Sequence, residues 1–236
     1  MTPSCSIISL FDPSEEVVVV VNPISTGAHI ARELSKRTYK VIMLWTKSTV
    51  TKKRLHGIDF NAFASVEEQE TIEDTLASLE NAAKSYRIVA CICGGEEGAS
   101  LTDAVSEKLG VRGNGTQIRR ENRMIQQEVI IEAGLRGIRQ VSGEYLSDTV
   151  REFLLNERYP IVVKPSEFVC ADGVKLCHDM SEAEHHFTYM VDRMKDTGIS
   201  ASVICQEYVK GKEYIIDNVS RDGVHKTTSK DFYSYN

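Results

Sequence analysis

Five consecutive valines, Val17–Val21, restrict this chain more than any other stretch. β-branched side chains are stiff at χ1 and pack well on a pleated surface, and an unbroken apolar run leaves no face for water. The run therefore predicts a strand buried on both sides, as in a parallel sheet covered by helices. The neighbouring residues agree. Asn22-Pro-Ile-Ser-Thr-Gly27 is a cluster of breakers, Ile30, Ala31 and Leu34 recur at helical spacing, and Val41–Trp45 is a second apolar run. Strand, turn, helix, strand is a βαβ unit with a right-handed crossover. The Ser25-Thr26-Gly27 segment reads either as a plain tight turn or as an anion site at a helix N-terminus.

The same alternation continues. Ser65-Val-Glu-Glu68 has the form of a capping box ahead of Ile72, Leu76, Leu79 and Ala83, which predicts an amphipathic helix. Ile88–Cys93 is a further buried strand, and it runs into Gly94-Gly-Glu-Glu-Gly98. A helix with Leu101, Val105 and Leu109 inward comes next and stops at Gly110. A glycine-rich loop after a parallel strand lies at the carboxyl edge of the sheet, where such sheets bind ligands, and Glu96 could hold a substrate amine there. The alternative is a glycine turn carrying solvated acids. Gly113-Asn-Gly115 reads as the junction to a second domain.

Beyond it, Arg119–Ala133 is expected to be a helix stopped by Gly134, with Arg119, Arg120 and Arg123 in its first turns. Cations there oppose the macrodipole at about 0.3–1 kcal/mol each, which a bound phosphate or a carboxylate partner would offset. Ser147–Arg158 predicts a short helix with Val150, Phe153 and Leu154 inward. Tyr159-Pro-Ile-Val-Val-Lys-Pro165 predicts a strand, and a turn-rich loop through Asp172-Gly-Val174 leads to another. Ser181-Glu-Ala-Glu184 reads as a second capping box, before Phe187, Met190, Val191 and Met194 on one helical face. His185 and His186 are adjacent, not four apart, and carry no metal assignment. Strands are expected over Ser200–Val209, Glu213–Val219 and Gly223–Thr228, with Arg221-Asp222-Gly223 as a hairpin turn.

Within this second half, Lys164 sits in an apolar strand, where a lysine is costly unless it meets an anion. Glu207 stands where the next apolar strand ends, and Glu213 follows a Lys-Gly-Lys turn. One cation and two carboxylates on neighbouring strand ends could hold a nucleotide, with lysine on phosphate, Glu207 on the base and Glu213 on ribose hydroxyls.

Composition narrows the classes. At 236 residues, 42% of them hydrophobic, the chain can bury a proper core. A net charge of −6 disfavours a nucleic-acid partner, since such binders usually show a basic face. No apolar run approaches the length of a bilayer span, and residues 1–16 lack the basic start of a signal peptide. Six scattered cysteines suit buried reduced thiols and a reducing compartment such as the cytoplasm. Cys91 and Cys93 alternate on one strand face, too closely spaced for a zinc turn.

Together, Tyr159-Pro-Ile-Val-Val-Lys-Pro165, Asp172-Gly-Val174 and Gln206-Glu-Tyr-Val-Lys-Gly-Lys-Glu213 resemble the ATP-grasp superfamily, in particular its carboxylate–amine ligases that join amino acids. The resemblance implies an α/β fold: a Rossmann-like parallel-sheet domain followed by a partial α+β ATP-grasp domain. It divides the chain into an extension (1–16), a pre-ATP-grasp domain (17–112), a first ATP-grasp subdomain with its linker (113–206) and the start of a second, truncated subdomain (207–236). It assigns ATP to Lys164 (adenine and α-phosphate), Glu207 (adenine amino group), Tyr208 and Val209 (main chain on the adenine edge) and Glu213 (ribose). Arg123 stands where the family has a second phosphate-binding lysine, with a larger, forked side chain. The implied chemistry is phosphorylation by ATP of a carboxylate, that of an amino acid in these ligases, and attack of an amine on the acyl phosphate.

Two departures accompany the resemblance. The loop Ser166-Glu-Phe-Val-Cys-Ala171 is bulkier and more acidic than a phosphate-covering loop, where small residues let N–H groups approach. The family's magnesium ligands lie beyond the hinge, so magnesium is expected only with a further C-terminal half, and neither metal ligands nor catalytic residues are assigned here. The alternative is therefore a catalytically degenerate relative serving as a structural or interaction subunit, with a protein partner over the 213–235 sheet. A dinucleotide-dependent oxidoreductase is disfavoured, since Asn22–Gly27 lacks the glycine fingerprint and Trp45-Thr-Lys47 lacks the acid.

Overall fold

The computed structural model describes residues 15–47, 62–117, 122–166, 173–195 and 202–232. The chain divides into two units, one ending at Gln126 and the other beginning at Gln127.

In the first unit, β1 (Glu16–Val21), β2 (Lys40–Trp45), β3 (Ala64–Glu67) and β4 (Arg87–Cys93) form one sheet in the order β3-β2-β1-β4. All three pairings are parallel. β1 is interior, and all of its residues are buried, which is why its valines need not alternate with polar residues. Val17, Val19 and Val21 meet Leu79 of α2 (Ile72–Ala83) and Val105 of α3 (Ala99–Lys108) on one face. Val18 and Val20 meet Ala31 of α1 (Thr26–Lys36) on the other. Helices thus cover both faces, as the valine run requires.

One expected capping box is a strand instead. Ser65-Val-Glu67 lies in β3, with Val66 buried beside Leu44. The Ser65 hydroxyl receives the Trp45 indole N–H at 3.2 Å, and the Glu68 carboxylate receives the Lys47 N–H at 2.9 Å. Both polar groups therefore serve the neighbouring strand rather than a helix end. The cap of α2 is Thr71, whose hydroxyl accepts the Asp74 N–H at 3.1 Å.

In the second unit, β5 (Gln140–Gly143), β6 (Ile161–Pro165), β7 (Lys175–Cys177) and β8 (Val203–Glu207) form an antiparallel sheet in the order β5-β8-β6-β7. Helices α5 (Asp148–Asn156) and α6 (Met180–Lys195) cover one of its faces, where Leu154, Phe187 and Met190 bury against Ile161, Val163 and Cys205. α4 (Arg123–Glu132) spans the division between units. Asn122 caps it by accepting the N–H groups of Met124 and Ile125 at 2.9 and 3.2 Å, and Gly134 ends it at φ 76°. Arg119 and Arg120, expected in this helix, lie outside the described residues. The remaining strands, β9 (Tyr214–Arg221) and β10 (Val224–Phe232), form a separate hairpin. Asp222 and Gly223 turn it with φ of 51° and 76°, the two positive values of a type I′ turn.

The second expected box is also displaced. α6 begins at Met180, so Ser181 is already helical, and Asp179 is the residue that accepts the Glu182 N–H, at 2.9 Å. Glu182 reaches back to the His178 N–H at 2.9 Å. The cap is aspartate rather than serine, and the acid three residues on reaches back one residue further than in the motif, to the N–H before the cap. Asp179→Ala should therefore destabilise the unit by about 1 kcal/mol. Ser181→Ala should stay within about 0.5 kcal/mol, with both values read from urea denaturation midpoints.

Candidate functional site

Three positions named from the sequence lie on or next to the β6–β8 pair. Glu207 faces Ile161 across the ladder, Cys205 faces Val163, and Ile204 faces Lys164. Directly paired residues of an antiparallel ladder share a face, and successive residues alternate. Ile161, Val163 and Cys205 turn toward α5 and α6, so Glu207 belongs to that side. Lys164, half-buried, belongs with Val162 to the side away from the helices. The two residues expected to grip one nucleotide stand on opposite faces of their sheet.

Glu207 is 6% exposed, and both of its carboxylate oxygens are engaged. Its Oε1 accepts the main-chain N–H of Arg139 at 2.9 Å and the Arg136 guanidinium at 2.8 Å. Its Oε2 lies 2.8 Å from Arg139 Nη2. Arg139 also grips Glu157 with two bonds, Nε to Oε2 at 2.9 Å and Nη2 to Oε1 at 2.8 Å. A planar fork meeting a carboxylate in this way is the strong form of the ion pair. The hydrogen bond from Arg139 holds the Glu157 carboxyl below its ordinary value, and the same bond raises Arg139.

After Glu207 the chain leaves the sheet. Tyr208 and Val209 are 44% and 51% exposed, and Glu213, also exposed, precedes β9. A cleft of about 260 Å³ is lined by residues that include Arg139, Glu157, Tyr159, Pro160, Tyr208 and Lys210, with Glu207 at its wall. Lys164 and Glu213 are not in its lining. The geometry thus brings Glu207 and Tyr208 to one cleft and leaves Lys164 on the other face of the sheet. Arg123 opens α4 and belongs to the first unit. Asp172 and the loop 167–171 lie outside the described residues; Ser166, which precedes them, is buried and donates its N–H to Ser202 O at 2.9 Å. His186 accounts for itself structurally, its Nε2 lying 2.8 Å from Gly173 O.

Arg136 and Arg139 are not legible from the sequence. They precede β5, a four-residue strand without a marked pattern, and their meaning depends on β5 pairing with β8.

The carboxyl edge of the parallel sheet is tightly built. A Cβ on Gly27 would lie 2.1 Å from Gly94 O, so the turn after β1 and the loop after β4 touch through their backbones. The Asn22 side chain accepts the Thr46 N–H at 3.0 Å and donates to its hydroxyl at 3.0 Å. The N–H groups of Gly27 and Ala28 are taken by Ile24 O and Ser25 O, at 2.9 and 3.2 Å, which favours the tight-turn reading over an anion site. Glu96 is exposed in a short 3₁₀ turn, Glu96–Gly98. Burial pushes the Cys91 thiol up to about 12, and the Cys93 thiol lies 3.1 Å from Gly95 O.

Known proteins share this architecture, although no family model matches the sequence. Dapdiamide A synthase of Enterobacter agglomerans is 24% identical over 215 residues, which span 89% of this chain and 50% of that protein. The L-amino acid ligase of Bacillus licheniformis superposes with a TM-score of 0.67 at 17% identity, over 92% of this chain and 50% of its own. The N5-carboxyaminoimidazole synthetase of Staphylococcus aureus, solved with ADP, gives 0.67 at 14% identity, over 94% and 55%. The chain has the ATP-grasp fold. Its likeness is to ligases of the carboxylate–amine type, and it spans about half the length of the relatives it matches.

The Arg139–Glu157 pair has a pH signature. A carboxyl lowered in the folded state takes up protons more readily when unfolded, so its stabilisation is complete above the ordinary value of 4.5 and is lost as the pH falls through the folded value. Glu157→Gln should therefore lower stability at pH 7 and lose less between pH 5 and pH 3, about the range where such carboxylates titrate. Urea denaturation at each pH measures this.

Proposed function

We propose that the protein grips an adenine nucleotide and is the ATP-binding portion of a ligase that joins a carboxylate, in particular an amino acid's, to an amine through an acyl phosphate. The observation that carries this reading is the placement of Lys164: a half-buried lysine on β6, on the face of the sheet away from α5 and α6. A cation so placed is stabilised by an anion such as a phosphate. Tyr208 and Val209 would present main-chain groups to the base and Glu213 would meet the ribose. Arg123 would serve phosphate as the family's lysine does. Residues 17–112 would form the pre-ATP-grasp domain, 113–206 the first ATP-grasp subdomain and 207–236 the start of the second.

The acyl-phosphate chemistry requires charge neutralisation on the phosphates, which magnesium supplies in such enzymes. Among the described residues no three His, Cys, Asp or Glu side chains gather to hold a metal, so none of them is assigned to it. No helix of the described residues is long and apolar enough to cross a membrane. The buried thiols Cys91, Cys177 and Cys205 support a reducing compartment such as the cytoplasm.

Lys164→Ala should weaken ATP binding about 10- to 100-fold, as loss of a charge-assisted contact does. Isothermal calorimetry on the unaltered protein and the variant tests this, and a protein that takes up no adenine nucleotide would sink the reading.

A second reading, a degenerate relative acting as an interaction subunit, is favoured by the β9–β10 hairpin. Ile216 and Val219 are 51% and 61% exposed, and Tyr214 is 50% exposed. A partner protein would cover these exposed apolar side chains and the hairpin's edge. On this reading light scattering after size exclusion finds an assembly; a clean monomer at micromolar concentration counts against it.

A further inference from the structure

We infer that Arg136 and Arg139 are positioning residues that act through Glu207, and that the Glu207 carboxylate does not contact the nucleotide base; the inference rests on the nucleotide reading above. Two independent observations carry it. The first is occupancy. A carboxylate offers about four acceptor sites, and three of those of Glu207 are taken, by the Arg139 N–H and the Arg136 guanidinium on Oε1 and by Arg139 Nη2 on Oε2. The second is direction. Strand alternation turns Glu207 toward the helix side, with Cys205, while Lys164 turns the other way.

The arrangement has a different use. Glu207 N–H donates to Arg139 O at 3.0 Å while Arg139 N–H donates to the Glu207 side chain at 2.9 Å. The regular β5–β8 pairing ends at Gln140 opposite Gln206. The carboxylate stands in for the strand acceptor that is missing one residue further on, and so extends the lock to the last residue before the hinge. Arg139 then ties that lock to Glu157 at the end of α5. Tyr208 and Val209, whose main-chain groups find no main-chain partner among the described residues, leave from a fixed point. A hinge held in this way presents its N–H and C=O groups to a base in one orientation, with less ordering left to do on binding.

The test compares ATP with purine riboside triphosphate, which lacks the 6-amino group, and with inorganic tripolyphosphate as a probe of the phosphate end alone. Dissociation constants are measured by calorimetry, with thermal melts run in parallel. Glu207→Gln, which keeps the side-chain shape, should weaken both nucleotides by the same factor. Arg139→Ala should weaken both about tenfold, the scale of one lost charge-assisted hydrogen bond, and leave tripolyphosphate unchanged. Weakening of ATP alone by Glu207→Gln would mean that the carboxylate reads the amino group, and would overturn the inference. So would Arg139→Ala that leaves both nucleotides unaffected, or that weakens tripolyphosphate equally through general loss of structure. Failure of the unaltered protein to bind ATP overturns the nucleotide reading itself, an outcome distinct from these.

Discussion

A strand residue can face only one side of its sheet, and on the β6–β8 pair that restriction governs where every charge goes. Ile161, Val163 and Cys205 must reach the helices, because the apolar side chains of α5 and α6 have no other surface to bury against. Once they do, Lys164 is carried to the far face and Glu207 to the near one. A charge on the near face lies close to a dry core, where it persists only if it is paired and hydrogen-bonded. Two guanidinium groups and a main-chain N–H meet that need at Glu207. Lys164, on the other face, is only half-buried, beside the buried Ile204.

The arginine that solves this problem solves a second one. Arg139 stands where β5 is about to begin, and its fork holds Glu157 while its Nη2 also reaches Glu207. The loop after α5 and the end of β8 are thereby fixed to one residue. An exposed ion pair contributes little, but an arginine shared by a half-buried and a buried carboxylate restrains two chain segments at once.

The first unit obeys a simpler rule. Its interior strand is apolar on both faces, its helices take both faces, and its turns at the carboxyl edge pack so closely that Gly27 has no room for a side chain. That is the architecture the resemblance implied for the first half of an ATP-grasp protein, and the likeness to ligase structures extends over both units. The two capping boxes are where local pattern and tertiary structure part. Ser65 and Glu68 match the motif but serve β2, and Ser181 matches it inside a helix that Asp179 caps. A short polar pattern records what a segment is able to do, and the neighbouring strand or the next acid decides what it does.

The valine run, the helical spacings and the Asp222-Gly223 turn were legible in the chain alone, because periodicity and backbone preference act within a few residues. From them came the parallel first sheet, the helices and the closing hairpin, and from the motifs came the ATP-grasp likeness. The sides of the second sheet were not legible. Which face Glu207 takes relative to Lys164 depends on the register of β6 with β8, and its arginine partner lies 68 residues away in sequence. Register and such pairings are settled only when distant strands come together, since a shift of one residue would reverse every side chain.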